Sequence, residues 1–468
     1  MSTAASSSCW LLILGAVVWL AACKDDDAGP KDTDVERDDT GDTGGKPSTP
    51  WTVAVMPGEG EIASEPYIRI ASSPSDDLAV AYFLPIFNDG ECSELNQEPP
   101  LPDRNRYDLR LATKAAGGDW RLDTVDEPVY FSGPRGISLT YNDAGAVMVA
   151  YAGGAPDPDG GFCVSGDAYL AINDGSGWDF EVAGTMSGDS PSDQPESQAG
   201  AIVGFWPALA LDANQQPALV HQDVHFLHAG ENRNDAEFAM LEGGGWTHEV
   251  VDPGTGAGNG NALMFDSSNR PIAFYAIPIN GPNHGVWAAR RNDSGEWERI
   301  KVHDGAIEGS ISAALDPEFQ EPVAAMYVYS QDRVKVVRLL DDERFMDSSA
   351  WNTEYVGQNG FAEGTFVSMR FSPLGNMALA YYRCRRNSDA DENCNKNDDG
   401  LVFAMKKAGA WSYQVVDDGD KAGECGTYAS LAFTSDGTAH IGYLCNLEHL
   451  GEPTVSLYVA SKKIEDVK

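Results

Sequence analysis

The stretch LTYNDAGAVMVAY, residues 139–151, alternates apolar and polar residues, breaks at Asn142-Asp143-Ala144-Gly145, and resumes as a β-rich run closing on Tyr151. Two short strands joined by a tight Asn/Asp/Gly turn are its direct reading. The pattern recurs as IRIASSPSDDLAVAY (68–82), LALDANQQPALVH (209–221), LMFDSSNRPIAFY (263–275), AALDPEFQEPVAAMY (313–327), MRFSPLGNMALAY (369–381) and LAFTSDGTAHIGY (431–443). In five of these seven copies the first apolar residue and the closing Tyr or His lie 12 positions apart. A second hairpin follows each copy, with first strands at 109–114, 168–173, 236–241, 286–291, 334–340, 402–407 and 455–463. Six of them lead into a strand that starts on tryptophan: Trp120, Trp178, Trp246, Trp297, Trp351 and Trp411. Each unit is four antiparallel strands, repeated seven times. The seventh unit stops at Lys463 without its Trp strand, and an orphan Trp strand, Trp51-Thr52-Val53-Ala54-Val55, precedes the first. The piece missing at one end is the extra piece at the other. That complementarity predicts an all-β, seven-bladed β-propeller over 51–463, closed by strand 51–55, with 464–468 as a short tail. The regular Trp and Tyr series reads as packing between blades.

With the strands lettered A to D outward from the axis, the long connections are B–C (83–107, 152–167, 222–235, 276–284, 383–399, 446–453) and D–A (126–135, 183–206, 252–260, 356–365, 417–427). In an up-and-down blade both types leave from the same edge, so they define one loop-rich face, where repeat arrays bind ligands. The connection near 341–350 is a C–D exception on the opposite face.

The chain has 468 residues, 72 acids against 32 bases, and a formal net charge of −40. Phosphate backbones need clustered Lys and Arg, so nucleic acid is excluded as a partner. Trp10 to Ala22 is a 13-residue apolar run, too short to span a bilayer and suited to the hydrophobic part of a signal peptide over 1–22. Residues 24–50 are rich in Asp, Thr, Gly and Pro, with nine acids, four bases and no large apolar residue but Val35. They read as a disordered acidic tether of about 30 Å.

Six cysteines lie beyond the tether, which in an exported chain implies disulfides. Topology pairs Cys425 with Cys445, Cys384 with Cys394, and Cys92 with Cys163. The loop 389–400 is dense in oxygen donors, and Asp389, Asp391, Asn393 and Asn395 form a candidate Ca²⁺ set. A second candidate set is His221, Asp223, His225 and His228, in which strand alternation puts the first three on one face, suited to a transition metal. No other cofactor is implied.

Two resemblances add to this reading. The run ending Leu20-Ala21-Ala22-Cys23 resembles the lipobox of bacterial lipoproteins, although residues 1–22 contain no Lys or Arg. It implies cleavage before Cys23, lipid attachment there, and residence in the cell envelope, at the outer membrane or cell surface, with the lipid as the sole membrane contact. The turns Asn173-Asp174-Gly175-Ser176-Gly177-Trp178 and Asn292-Asp293-Ser294-Gly295-Glu296-Trp297 resemble the Asp-boxes (BNR repeats) of sialidase-type propellers, without their leading Ser. Where that family has Arg-Ile-Pro, this chain has Arg69-Ile70-Ala71, and no arginine triad is assignable. The expectation is a monomeric, surface-tethered binding module for a glycan or protein ligand. The alternatives are a sialidase-like hydrolase or lyase and a metal-dependent enzyme built on His221–His228.

Overall fold

A computed structural model describes residues 50–56, 67–85, 106–130, 136–153, 166–185, 202–228, 231–254, 256–358, 361–384, 386–388, 391–394, 399–419, 423–449 and 452–464. Contacts divide the chain into Met1–Pro50 and Trp51–Lys468. The lipobox with Cys23, Cys92, Cys163, Asp389 and Asn395 lie outside the described residues.

Trp51–Lys468 forms seven four-stranded antiparallel blades arranged as a β-propeller. In order A to D, blade 1 is Ile68–Ser72, Leu78–Pro85, Arg106–Lys114 and Trp120–Tyr130. Blade 2 is Ile137–Tyr141, Val147–Gly153, Asp167–Asn173 and Trp178–Gly184; blade 3 is Ile202–Leu211, Pro217–His228, Glu231–Glu242 and Gly245–Asp252. Blade 4 is Asn259–Phe265, Pro271–Ile277, Gly285–Arg291 and Trp297–His303; blade 5 is Ile307–Leu315, Pro322–Val328, Arg333–Leu339 and Trp351–Val356. Blade 6 is Ala362–Phe371, Met377–Cys384, Gly400–Lys407 and Ala410–Asp417. Blade 7 takes Gly423–Phe433, Thr438–His449 and Glu452–Lys463 from the C-terminal end and Thr52–Val55 as its outermost strand. That strand pairs antiparallel from Thr52↔Ser461 to Val55↔Tyr458, which closes the ring.

The strand pattern follows from burial. The B strands of blades 2, 4 and 5 are buried at every position, because both faces pack on neighbouring blades. They therefore read as continuous apolar runs, not alternating ones. The A–B turns share a second cause. The first turn residue is always Ser, Thr, Asn or Asp: Ser73, Asn142, Asp212, Asp266, Asp316, Ser372 and Thr434. In the first six its side-chain oxygen accepts backbone N–H bonds from within the turn. Thr434 instead donates to Asp436. Such local bonds offer the backbone a turn in place of a longer strand.

The aromatic series does pack between blades, and it also bonds them. The Nε1 of Trp178 donates to Asp123, Trp297 to Glu249, Trp411 to Glu354 and Trp51 to Gln414, in each case three residues after the corresponding Trp of the preceding blade. Three of the tyrosines that close strand B bond in the same direction: Tyr151 to Asp126, Tyr275 to Asp252 and Tyr443 to Asp417.

Several connections are shorter than the sequence suggested. Strand A begins at Ile202, Asn259, Ala362 and Gly423, inside stretches read as D–A loops, and strands B and C of blade 3 run on to His228 and from Glu231. Glycines at positive φ make this extension feasible. At Gly364 and Gly426 an added Cβ would come within 2.4 Å of Val334 and 2.7 Å of Leu401, strand C residues of the preceding blade. The C–D connection of blade 5 folds as two short 3₁₀ turns, Asp342–Arg344 and Ser348–Ala350, with Phe345 buried against Trp351.

Cys425 and Cys445 face each other in strands A and B of blade 7 and are bonded, with Cα atoms 4.0 Å apart. Cys384 is also disulfide-bonded. A small hairpin, Arg386–Ser388 with Asp391–Cys394, sets Cys394 opposite Arg386.

Candidate functional site

All seven A strands line the central channel, and their inward residues stack in layers about 7 Å apart, two residues at a time. The layer nearest the loop-rich face contains Tyr67, Gly136, Trp206, Gly260, Ser310, Phe366 and Tyr428. Four of these are aromatic and touch in a chain across the mouth. Trp206 meets Tyr67 at 5.2 Å, Tyr67 meets Tyr428 at 5.3 Å, and Tyr428 meets Phe366 at 4.2 Å between ring centroids. Gly136 leaves the room this needs, since a Cβ there would lie 3.2 Å from the Trp206 Cα.

The backbone under three of these aromatics is unusual. Trp206, Phe366 and Tyr428 have φ of 55°, 58° and 54°, a region that bulky L-residues rarely enter. Each sits in a β-bulge, where strand A gains one residue over strand B: between Phe205 and Ala208, between Thr365 and Ser368, and between Thr427 and Ser430. A bulge re-aims a side chain, here toward the mouth. Each left-handed residue costs about 1–3 kcal/mol, and such strain concentrates at functional sites. Residues 260 and 309 in blades 4 and 5 are glycines with positive φ, which carry no such cost.

Below the mouth the channel narrows to a cavity of about 100 Å³, lined by Arg69, Ser138, Asn261, Ser310, Ser312, Ser368 and Arg370 among apolar residues. The serines belong to the scaffold. Ser138, Ser312, Ser368 and Ser430 each accept a backbone N–H from the next blade, those of Leu209, Met369, Leu431 and Ile70 respectively. The arginines are different. Arg69 donates to Ile68 O at 2.9 Å and to Ser310 Oγ at 3.4 Å, and Arg370 donates to Met369 O at 2.8 Å. Among the described residues neither meets a carboxylate. Burial, reinforced by the charge of Arg370, pushes the Arg69 guanidinium down to about 10; burial also lowers Arg370.

The residues singled out in the sequence lie elsewhere. His221 is fully buried at the junction of blades 2 and 3, in the slot filled by tyrosine in five other blades and by Met326 in blade 5, and neither ring nitrogen has a hydrogen-bond partner among the described residues. Asp223 is buried opposite Asp235 of strand C. His225 and His228 continue the strand, but their side chains, like those of Asp391 and Asn393, lie outside the described residues. Among the described side chains the one converging set of metal-type donors is Asp417, Cys425 and Cys445, whose sulfurs are already bonded to each other. The aromatic mouth was missed. Its signal is a repeated Gly-x-aromatic triplet at the head of strand A: Gly204-Phe205-Trp206, Gly364-Thr365-Phe366 and Gly426-Thr427-Tyr428.

Neither a family model nor a curated protein matches this sequence. Among solved structures, the chain is similar to an α-L-arabinanase from Penicillium chrysogenum, at 13% identity and TM-score 0.42 over 88% of this chain and 98% of that one. It is similar to a sialidase from Trypanosoma rangeli, at 11% identity and TM-score 0.41 over 74% of this chain and 57% of that one. It is also similar to the Aleuria aurantia lectin, at 14% identity and TM-score 0.40 over 77% of this chain and 98% of that one.

Proposed function

We propose that this propeller is a non-enzymatic binding module that takes a glycan at the aromatic mouth of its channel, and that the chain is held at the cell envelope by a lipid on Cys23. One observation carries the reading of the mouth: three bulky aromatics held at positive φ by bulges in three separate blades. Packing alone gives no reason for this, because glycine fills the same kind of position in neighbouring blades. Aromatic rings with a polar edge suit sugars, which present apolar C–H faces bordered by hydroxyls. The rigid rings also cost little conformational entropy on binding.

A glycan array probed with the full chain tests the reading, with Trp206→Ala and Tyr428→Ala beside it. Binding that drops at least about tenfold in both variants, with no release of sugar from the bound glycan, supports it. Turnover of a glycan substrate favours the hydrolase alternative. Binding that ignores both substitutions moves the site away from the mouth. Metal analysis of the purified protein tests the His221–His228 set separately.

A further inference from the structure

We infer that the channel beneath the mouth is a binding site for a small inorganic oxyanion, of the phosphate or sulfate class, held between Arg69 of blade 1 and Arg370 of blade 6. The inference does not depend on what binds at the mouth.

The chain has a net charge of −40, with more than two acids for every base. Elsewhere its arginines find acids readily: Arg110 pairs with Asp108, Arg270 with Asp266 and Asp342, Arg290 with Asp342, Arg338 with Asp316 and Arg344 with Asp347. Arg69 and Arg370 line one cavity and, among the described residues, donate only to neutral oxygens. Both side chains are half-buried, and two guanidinium groups facing one narrow cavity repel each other and lose part of their hydration, a costly arrangement unless a counter-charge joins them.

The position also matters. Register places Arg69 opposite Ala81, in the layer that presents Ser138, Ser368 and Ser430 in blades 2, 6 and 7. Arg370 lies opposite Ala378, one layer deeper, where blades 1, 3 and 7 have Ala71, Ala210 and Ala432. Each arginine thus replaces a small residue, and each fills a different layer, so the two bracket the cavity from above and below. Each carries N–H groups beyond those its neutral partners use, in the planar fork that matches a tetrahedral oxyanion. Ser310 and Asn261 line the same cavity. Its volume of about 100 Å³ leaves room for a small anion. An anion there ties blade 1 to blade 6 through the channel and converts a repulsive pair into a clamp.

Thermal unfolding of the full chain, dialysed into anion-poor buffer and titrated with phosphate at constant ionic strength, tests this. The wild type is expected to show a saturable rise in Tm, as ligand linkage requires. Arg370→Gln is expected to weaken the apparent affinity about ten- to a hundredfold, the loss of one charge-assisted contact. Exposed Arg121→Gln behaves as wild type, which separates site binding from the general stabilising effect of such salts. The curves should cross: without phosphate Arg370→Gln is at least as stable as wild type, and with saturating phosphate it is less stable. A wild type that shows no saturable response overturns the inference, as does an Arg370→Gln variant that responds equally. An Arg370→Gln variant less stable at every phosphate level also overturns it, since that marks a purely structural arginine. Should Arg370→Gln fail to fold, a crystal structure of the wild type with selenate decides, by anomalous scattering between the two guanidinium groups or its absence there.

Discussion

The junctions between blades 3 and 4 and between blades 2 and 3 use the same slots in opposite ways. Between blades 3 and 4, strand D of blade 3 ends on Asp252, which accepts from the Tyr275 hydroxyl at 2.7 Å, from the Gly254 N–H at 2.9 Å and from Arg299. Farther out, Glu249 accepts from Trp297 Nε1 at 2.9 Å and pairs with Arg291 at 2.6 Å. Between blades 2 and 3, the residue in the Asp252 slot is Gly184 and the residue in the Tyr275 slot is His221. There the Trp246 indole N–H and both His221 nitrogens have no partner among the described residues. Hydrophobic contact remains, through Leu170, Val203, Leu209 and Leu219. The propeller therefore does not need a polar bond at every junction, because the closed ring holds each blade from both sides. The loss of the acid alone does not explain the difference. Gly357 also replaces it between blades 5 and 6, and there the Glu363 carboxylate moves into the vacated space and accepts from Tyr381 at 3.0 Å.

The largest expected effect breaks the bonded junction. Asp252→Ala leaves the buried Tyr275 hydroxyl without its acceptor and the partly exposed Arg299 without its partner, and should destabilise the protein by about 2–4 kcal/mol. Urea unfolding checks it through a lower midpoint at unchanged slope. A loss within about 0.5 kcal/mol would mean that the bond adds nothing to packing.

A smaller effect comes from the junction of blades 4 and 5, where the same slot holds His303. Burial, with help from the neighbouring Lys335 ammonium, pushes this imidazole down to about 4. Its folded pKa lies below the unfolded value near 6.5. The unfolded chain thus binds the proton first, and the stability tied to neutral His303 is complete above about pH 6.5 and lost as pH falls toward about 4. The slope for one such group is at most about 1.4 kcal/mol per pH unit. His303→Gln should flatten the stability curve across that window. His440, lowered to about 4 by burial, leaves a residual slope of the same sign. Identical wild-type and His303→Gln curves would refute the assignment.

Much of this architecture is legible in the sequence because it is periodic. The Asx and Ser turns, the buried B strands and the Trp series repeat at fixed offsets, and the orphan strand at Trp51 fixes the closure. The site is less legible because it breaks the period. Trp206, Phe366 and Tyr428 lie in bulges, at the end of or just past stretches read as D–A loops, and a bulge shifts every later residue off the alternation. Arg69 and Arg370 occupy different layers in different blades, so their shared cavity exists only once the register of seven strands is set. That no described carboxylate lies beside them is a three-dimensional fact that no local spacing encodes.

The smallest effect is the one that separates the two junctions most sharply, because it reverses sign. Removing the tyrosine hydroxyl in the bonded junction, Tyr275→Phe, takes a donor from buried Asp252 and should destabilise by about 1–3 kcal/mol. The parallel change in the other junction, His221→Phe, removes two buried nitrogens that bond to nothing. The benzyl group keeps the ring shape and adds apolar contact with Val203, whose Cγ1 lies against the Gly184 position. Relief of unsatisfied polar atoms should outweigh the slight overpacking, for a gain of about 1 kcal/mol. Side-by-side urea midpoints measure both. A gain at 221 with a loss at 275 shows that partner availability decides the sign. Losses at both positions would instead mean that His221 is bonded in solution, to water or to a ligand that Phe cannot replace.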